Sequence, residues 1–494
     1  MKILLINPGT MHGEGESYGA LTNPIMGLAY LATYLNNHDF EVEVMEMSTY
    51  RQGYKEVEAR LKALKPALVG ISSKTFNILA GYKIADLVKS ISSKILVVFG
   101  GPHPTALVEQ TMSECANIDA IVRGEGEETL LAIANRLRTG YQSPEDVFAD
   151  IPGVTYADRG HNLIHNPERV PISDLDSLPF PDFSLYDFKK FGKVYDTFSG
   201  RFESEISIFA SRGCPFHCSF CMPLLGRKWR SRSPENVVAE IEHHWRNFGM
   251  RRIVFNDSTF GVNREWFQEL CRLLKNSGLH KKIHWAFETR ADLASLEMFT
   301  EAVDAGAFAV FFGFESGSDQ ILAKNGKEIT RADILKAVTL ARQAKVPTVS
   351  GSFIIGLPYE TKDTLRETID LIAELALDFV GVNIVSIYPG TKLWDMVERG
   401  EGGARWLPGS RMNWRNYDRT TCQIEVNELS APDILTALEQ AKIVGMQIMK
   451  QKSLFPYLHK SNAYFWYLLL NDRKKLHYYL KWGLKELFHR KRVI

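Results

Sequence analysis

The sequence has almost no net charge, few cysteines and no apolar run long enough to span a membrane. Its 494 residues carry 59 Lys and Arg against 58 Asp and Glu, so the net charge of +1 gives no reason to expect nucleic-acid binding. The apolar run in residues 1–7 is too short for a signal peptide, which predicts a cytoplasmic protein. There is no Walker A loop, which argues against a P-loop nucleotidase.

The cysteines are too sparse for a disulfide framework. There are six of them, and three fall within residues 214–221, a concentration that indicates metal binding in a reducing compartment. Cys115, Cys271 and Cys422 are scattered along the chain. Free cysteine is commonly a small buried hydrophobe, and we assign these three that role.

What is present is a periodic pattern that predicts an α/β protein. A prior of about 150 residues per domain suggests two or three domains. In the first part, short apolar runs alternate with amphipathic stretches, as in βα units on a parallel sheet. This pattern predicts a doubly wound, flavodoxin-like (Rossmann-type) domain over residues 1–145. The expected strands are 3–7, 41–45, 68–72, 95–99 and 120–123, and the expected helices are 24–37, 55–64, 79–90, 104–115 and 127–137.

A second periodic series predicts a partial (β/α)6 barrel over residues 204–400. It follows a proline-rich connecting segment, 146–203, that contains a small hairpin. A helical C-terminal region, 401–494, comes last, with one amphipathic helix over 431–451. In barrels the chemistry lies at the carboxyl ends of the strands. The expected barrel strands are 206–211, 253–256, 284–288, 309–314, 348–355 and 379–386.

The segment after the first barrel strand, 211–221, reads SRGCPFHCSFC. Cys214, Cys218 and Cys221 can hold a [4Fe-4S] cluster and leave one iron without a protein ligand, free to bind a cofactor. The alternative is a structural zinc site with His217 as the fourth ligand. Zinc sites usually pair such cysteines with a second pair well downstream, which is missing here, so we favour the cluster.

This cysteine spacing, with aromatic Phe220 before the last cysteine, resembles the radical S-adenosylmethionine (SAM) signature. The resemblance implies that SAM chelates the open iron and is cleaved by one electron to a 5′-deoxyadenosyl radical. Segment 256–259 (NDST) takes the place of the family's Gly-Gly-Glu, from which it departs. Other strand ends are similar to segments that line the family's SAM site, and a surface ion pair is the alternative role of Arg290 and Glu315. The expected SAM contacts are Phe220, Asp257, Ser258, Glu288, Arg290, Glu315, Ser316, Ile355 and Gly356.

The glycine-bearing loops after the N-terminal strands suit a large flat or phosphorylated ligand, although they could equally form tight βα turns. A flavodoxin-like domain before a radical SAM barrel resembles the cobalamin-binding class of this family, which includes methyltransferases and the anaerobic magnesium-protoporphyrin monomethyl ester cyclase. The Asp-x-His-x-x-Gly motif that supplies a histidine to cobalt in many cobalamin proteins is missing. The expected cobalamin contacts are Ser72, Thr75, Gly100, Gly101, His103 and Gly124.

The resemblance implies a methyltransferase that acts on an unactivated carbon of a small-molecule or lipid-like substrate, with a reducing electron donor such as flavodoxin or ferredoxin. Three alternatives stay open. One is an oxidising or cyclising enzyme that uses cobalamin without methyl transfer, and another is a degenerate first domain that binds no cofactor. The third is a zinc-stabilised binding protein associated with a membrane or RNA.

The end of the chain has an aromatic run, 464–470, followed by a basic segment that includes Lys474, Lys475 and Arg490. One interpretation is a helix that packs on the barrel and ends in a solvated basic stretch. The other is peripheral membrane contact through this tail, which would favour a lipid-like substrate.

Overall fold

The computed structural model describes residues 1–9, 23–50, 52–140, 143–191, 193–196, 201–222, 224–417 and 420–452. The description below concerns these ranges. Within them the chain forms two α/β units joined by one continuous hydrophobic core, to which Phe99 and Phe255, one from each unit, both belong.

The N-terminal unit is built on a seven-stranded sheet with the order β2-β1-β3-β4-β5-β6-β7. The first five strands are parallel, and the last two add an antiparallel hairpin to one edge. Five of the six residues of β1 are buried, because helices cover both faces of a parallel sheet. The strands are β1 Lys2–Asn7, β2 Glu41–Glu46, β3 Leu68–Ser72, β4 Leu96–Gly100, β5 Ala120–Val122, β6 Val154–Ala157 and β7 Leu163–His165.

Eight helices accompany this sheet in the described ranges. The expected helix 104–115 is two helices, because the backbone of Leu107 is not helical (φ −131°, ψ 61°). The predicted hairpin is β6–β7, so the sheet continues past residue 145. The helices are α1 Met26–Asn36, α2 Met47–Tyr50, α3 Tyr54–Leu64, α4 Ile78–Ile91, α5 Pro102–Ala106, α6 Val108–Glu114, α7 Glu127–Thr139 and α8 Pro144–Phe148.

A small antiparallel ribbon, β8 Val194–Asp196 with β9 Arg201–Glu203, precedes the barrel. The six barrel strands are all parallel and follow each other in chain order, as the periodicity predicts. They are β10 Glu205–Ile208, β13 Arg252–Phe255, β14 His284–Thr289, β15 Ala307–Glu315, β16 Thr348–Ile355 and β17 Phe379–Ile384.

The first barrel strand is shorter than the expected 206–211. It ends at Ile208, and the chain then forms a separate antiparallel ribbon, β11 Ser211–Arg212 with β12 Arg230–Ser231. This ribbon brings together the two ends of the cysteine segment. The helices around the barrel are α9 Pro234–Phe248, α10 Arg264–Asn276, α11 Leu296–Asp304, α12 Asp319–Lys324, α13 Arg331–Gln343 and α14 Lys362–Leu375.

The chain beyond the barrel contains α15 Lys392–Glu398, the ribbon β18 Ala404–Trp406 with β19 Ile424–Val426, and α16 Ala431–Lys452. The long helix α16 confirms the amphipathic helix expected over 431–451 and packs on β17 and α14. No helix in the described part of the chain is long and apolar enough to cross a membrane. The aromatic run and the basic segment lie outside the described residues.

The barrel core contains Trp285, which is fully buried and donates from its indole nitrogen to the Ala305 carbonyl at 2.9 Å. We expect Trp285→Ala to lower the free energy of unfolding by about 3–5 kcal/mol, because it leaves a large cavity. Trp245→Ala is the matched control, since Trp245 is half-buried on α9. Urea unfolding followed by circular dichroism measures both, and equal losses would contradict this packing.

Candidate active site

The cysteine segment forms a loop, residues 213–226, that we call the Cys loop. The Cys214 amide donates to the Gly226 carbonyl at 3.2 Å and so closes the loop at its base. In the middle, the Ser219 amide donates to the Asn325 carbonyl at 2.9 Å, and the Ser219 carbonyl accepts from the Leu393 amide at 2.8 Å. These bonds hold the Cys loop against the carboxyl ends of the barrel strands.

The three thiols are close enough to affect one another. Burial, together with the charges of Cys218 and Cys214, raises the pKa of Cys221 to about 11. The alternative fourth zinc ligand, His217, is exposed, and so is Cys221. The cysteine spacing, without a second pair downstream, remains the reason to favour a cluster, in which each thiolate binds a different iron.

Arg290 lies beneath the Cys loop. Its guanidinium is buried, stacks 3.7 Å from the centre of the Phe216 ring, and places Nη1 3.8 Å from the Cys218 sulfur. It also forms a two-pronged ion pair with Asp292 at 2.9 and 3.1 Å and donates to the Lys327 carbonyl at 2.6 Å. The alternative of a surface ion pair between Arg290 and Glu315 is therefore wrong, and Arg290 supports the Cys loop.

The barrel mouth beside the Cys loop is charged. Lys327 Nζ donates to Glu315 Oε1 at 3.1 Å, and both side chains are buried. The Glu288 side chain is partly open to solvent. Its pKa is raised, first by the loss of hydration among the surrounding residues and then by the negative charge of Glu315. Lys327 was missed by the sequence analysis, because it follows α12 and not a strand. Together these groups can face a zwitterion such as SAM.

Of the remaining expected SAM contacts, Phe220 lies in the Cys loop and the others lie at or just after strand ends. Phe220 is half-buried against the core and Ser258 is exposed, whereas Ser316 and Ile355 are fully buried. Gly356 has φ +95°, and a Cβ there would lie 3.1 Å from Ile434 on α16. The contacts of these residues with SAM stay predictions.

Asp257 has a supporting position in the structure. Its buried carboxylate accepts from the Ala210 amide at 3.2 Å and from the Ser211 hydroxyl at 2.5 Å. Burial raises its pKa to about 7. Its oxygens therefore hold the chain that enters the Cys loop, and a contact of Asp257 with the SAM amine stays a prediction. Nearby, the Thr259 hydroxyl lies 3.4 Å from the Cys214 sulfur, a neighbour that the sequence analysis missed.

A cavity of about 530 Å³ lies between the two units, where the carboxyl ends of both sheets meet. Four of the expected cobalamin contacts line it: Ser72, Gly100, Gly101 and Gly124. At Gly101, φ is +98° and a Cβ would lie 2.7 Å from the Ser73 carbonyl oxygen, so only glycine fits there. The barrel side contributes residues that include Ser207, Phe209, Arg212, Leu224, Leu225 and Asn256.

The structure does not bring Thr75 and His103 to this cavity. Both are buried behind it, where His103 Nδ1 lies 3.2 Å from the Thr75 hydroxyl. The His103 ring packs edge-on against Trp414 at 4.7 Å, and burial lowers its pKa to about 3. Both side chains are buried where the C-terminal region packs against the first unit. Their expected position in the cobalamin cavity is therefore wrong.

Residues 20–134 match the family model of the B12 binding domain, and residues 208–372 match that of the radical SAM superfamily. An uncharacterized methyltransferase of Pyrococcus horikoshii is 32% identical over 445 residues, which cover 90% of this chain and 92% of that protein. The chain belongs to the B12-binding radical SAM family. Its members use a [4Fe-4S] cluster, SAM and cobalamin, the cofactors that the sequence analysis expects.

Two further similarities agree with this assignment. The anaerobic magnesium-protoporphyrin IX monomethyl ester cyclase of Cereibacter sphaeroides is 28% identical over 405 residues, 80% of this chain and 63% of that protein. The cobalamin- and cluster-bound structure of the radical SAM methyltransferase TsrM from Kitasatospora setae superposes with a TM-score of 0.70. The match covers 90% of each chain at 18% identity, so it concerns the fold.

In this radical SAM enzyme the base of the Cys loop depends on a glycine with positive φ. Gly213 has φ +83°, and a Cβ there would overlap the Lys228 carbonyl. Gly226 has nearly the same φ, +85°, but nothing lies within 4 Å of its Cβ position. The two glycines therefore separate the cost of the backbone conformation from that of a clash.

We expect Gly213→Ala to lose most of its iron after cluster reconstitution, because the clash must displace the base of the Cys loop. Gly226→Ala should keep its iron, since it adds only a left-handed backbone cost of about 1 kcal/mol. Iron and sulfide analysis with the visible spectrum measures both. Full iron content in Gly213→Ala would contradict this account of the loop.

Proposed function

We propose that this enzyme methylates an unactivated carbon of a small molecule, with cobalamin as the carrier of the methyl group. One observation carries the proposal. The cavity beyond the N-terminal sheet is lined on its barrel side by Leu224 and Leu225, which belong to the Cys loop. A corrinoid in this cavity would therefore lie beside the cluster site, as sequential use of both cofactors requires.

The chain's own residues support the cluster half of this reaction. Burial raises the pKa of Cys218 and is the largest effect on it. The positive charges of Lys327 and Arg290, which face Cys218, act in the opposite direction and favour its thiolate. The thiolate is the form that binds iron. Glu288, Glu315 and Lys327 present both signs of charge to the amino and carboxylate groups of SAM.

The other half concerns the cavity. Glycine at the ends of β4 and β5 leaves backbone amides accessible, and apolar side chains such as Tyr30 and Phe99 limit the entry of water. No histidine lines the cavity among the described residues, so we expect cobalamin without a histidine ligand from this part of the chain.

When bound, the cluster and SAM supply a 5′-deoxyadenosyl radical, and cobalamin carries the methyl group. The overall reaction replaces C–H by C–CH₃ and consumes two SAM molecules and two electrons. One SAM leaves as S-adenosylhomocysteine, and the other leaves as methionine and 5′-deoxyadenosine, which takes up the substrate hydrogen. A small reducing protein such as flavodoxin or ferredoxin would supply the electrons, in keeping with a cytoplasmic location.

Cofactor content is the first test. We expect about four irons per chain and a corrinoid spectrum in anaerobically reconstituted protein incubated with hydroxocobalamin. Cys218→Ala should lose the cluster, because it removes a thiolate ligand, while Cys271→Ala, at a buried barrel position, should keep it. Zinc without iron would contradict the assignment, and iron without cobalt would remove the methyl carrier.

The fate of SAM separates methyl transfer from the oxidising or cyclising alternative, which the cyclase relative represents. We expect SAM labelled in its methyl group to transfer label to the corrinoid and to yield S-adenosylhomocysteine in equal amount. Liquid chromatography with mass spectrometry measures both products. Formation of 5′-deoxyadenosine alone, with no label on the corrinoid, would favour the alternative.

A further inference from the structure

Four charged side chains are buried where the Cys loop meets the N-terminal sheet. Glu125 lies in the loop after β5 and Glu127 is the first residue of α7, and both line the cavity. Arg212 stands immediately before the Cys loop, and Arg230 stands a few residues after it. All four side chains are at most 9% exposed.

The two arginines bind the two carboxylates directly. Arg212 Nη2 donates to Glu127 Oε1 at 2.6 Å. Arg230 donates to both oxygens of Glu125, at 2.6 and 3.3 Å, and also to the Leu225 carbonyl at 3.0 Å. The loop after β5 and the start of α7 therefore hold both ends of the Cys loop.

Because its side chains are buried, this network is expected to contribute little to the stability of the fold. Removing four charges from water is costly, and a buried ion pair often contributes no more than an apolar contact of equal size. Its geometry is nevertheless demanding, because an arginine that shifts leaves a buried carboxylate without a partner. The position of the Cys loop is thus linked to the position of the cavity wall.

We propose that Glu125 and Glu127 are positioning residues that couple cluster assembly to corrinoid binding. The inference rests on the proposed function, since it needs both cofactors. When the cluster orders the Cys loop, Arg212 and Arg230 hold the loop after β5 in its cavity-lining position. Gly124 and Gly126, in the same loop, are then placed against the corrinoid. Because coupling is reciprocal, a bound corrinoid favours the ordered Cys loop to the same extent.

The test is the dissociation constant of hydroxocobalamin, measured by anaerobic spectral titration before and after cluster reconstitution. We expect the wild type to bind at least about fivefold more tightly with its cluster. In Glu127→Gln the ratio of the two constants should fall clearly below the wild-type ratio, because this variant loses the Arg212 link while the Arg230–Glu125 pair remains. The control is Glu128→Gln, which removes the same charge at the next residue, where the carboxylate pairs with Arg169 and is 46% exposed. It should keep the wild-type ratio.

A second variant keeps the test decisive if Glu127→Gln does not fold. Arg212 Nη1 also lies 3.5 Å from Glu125 Oε1, so its fork reaches both carboxylates. Arg212→Lys retains the charge but loses this fork, so its ratio should also fall below the wild-type ratio. A folded variant of either kind that keeps the wild-type ratio would overturn the inference. So would a ratio of one in the wild type with tight binding, which leaves the proposed function intact. A wild type with a full cluster that binds no hydroxocobalamin would overturn both.

Discussion

The architecture depends on the contact between two parallel sheets whose carboxyl edges face each other. Parallel sheets are covered by helices on both faces, so the loops at the ends of their strands are the parts left free for ligands. Here one hydrophobic core joins the two sheets, with Ile6 on one side and Ile208 on the other. Both sets of loops therefore open into the same cavity, and two cofactors of different chemistry can lie side by side.

Ion pairs around Glu125 and Glu127 join the two units next to the Cys loop. A second buried cluster lies within the barrel unit, where Arg232 pairs with Glu240, whose other oxygen lies 3.3 Å from His244 Nε2. Apolar contacts alone would allow one element to shift against another. A shift that leaves a buried carboxylate without its partner costs a large amount of folding free energy. The junction therefore contains an apolar core, which allows small shifts, and buried ion pairs, which do not. The ion pairs between the units lie next to the Cys loop.

Local patterns in the sequence were sufficient for much of the fold. Alternating βα periodicity predicted five parallel strands in the first unit and six in the barrel, and the structure confirms them. The spacing of Cys214, Cys218 and Cys221 predicts a cluster site for the same reason, since all three cysteines belong to one short loop; their binding of iron stays a prediction. Side-chain direction was harder to predict: His103 follows a strand end as expected, yet it turns away from the cavity to pack on Trp414.

By itself the sequence determined the strands, the order of the two units and the loop that carries the three cysteines, because each depends on residues close together in the chain. Only the tertiary structure decided what surrounds them. Glu127 meets Arg212 across 85 residues of chain, and Glu125 meets Arg230 across 105. Lys327 reaches the barrel mouth from beyond α12. Such pairs leave no periodic trace in the sequence, because they form only after the core has fixed the distance between the elements that carry them.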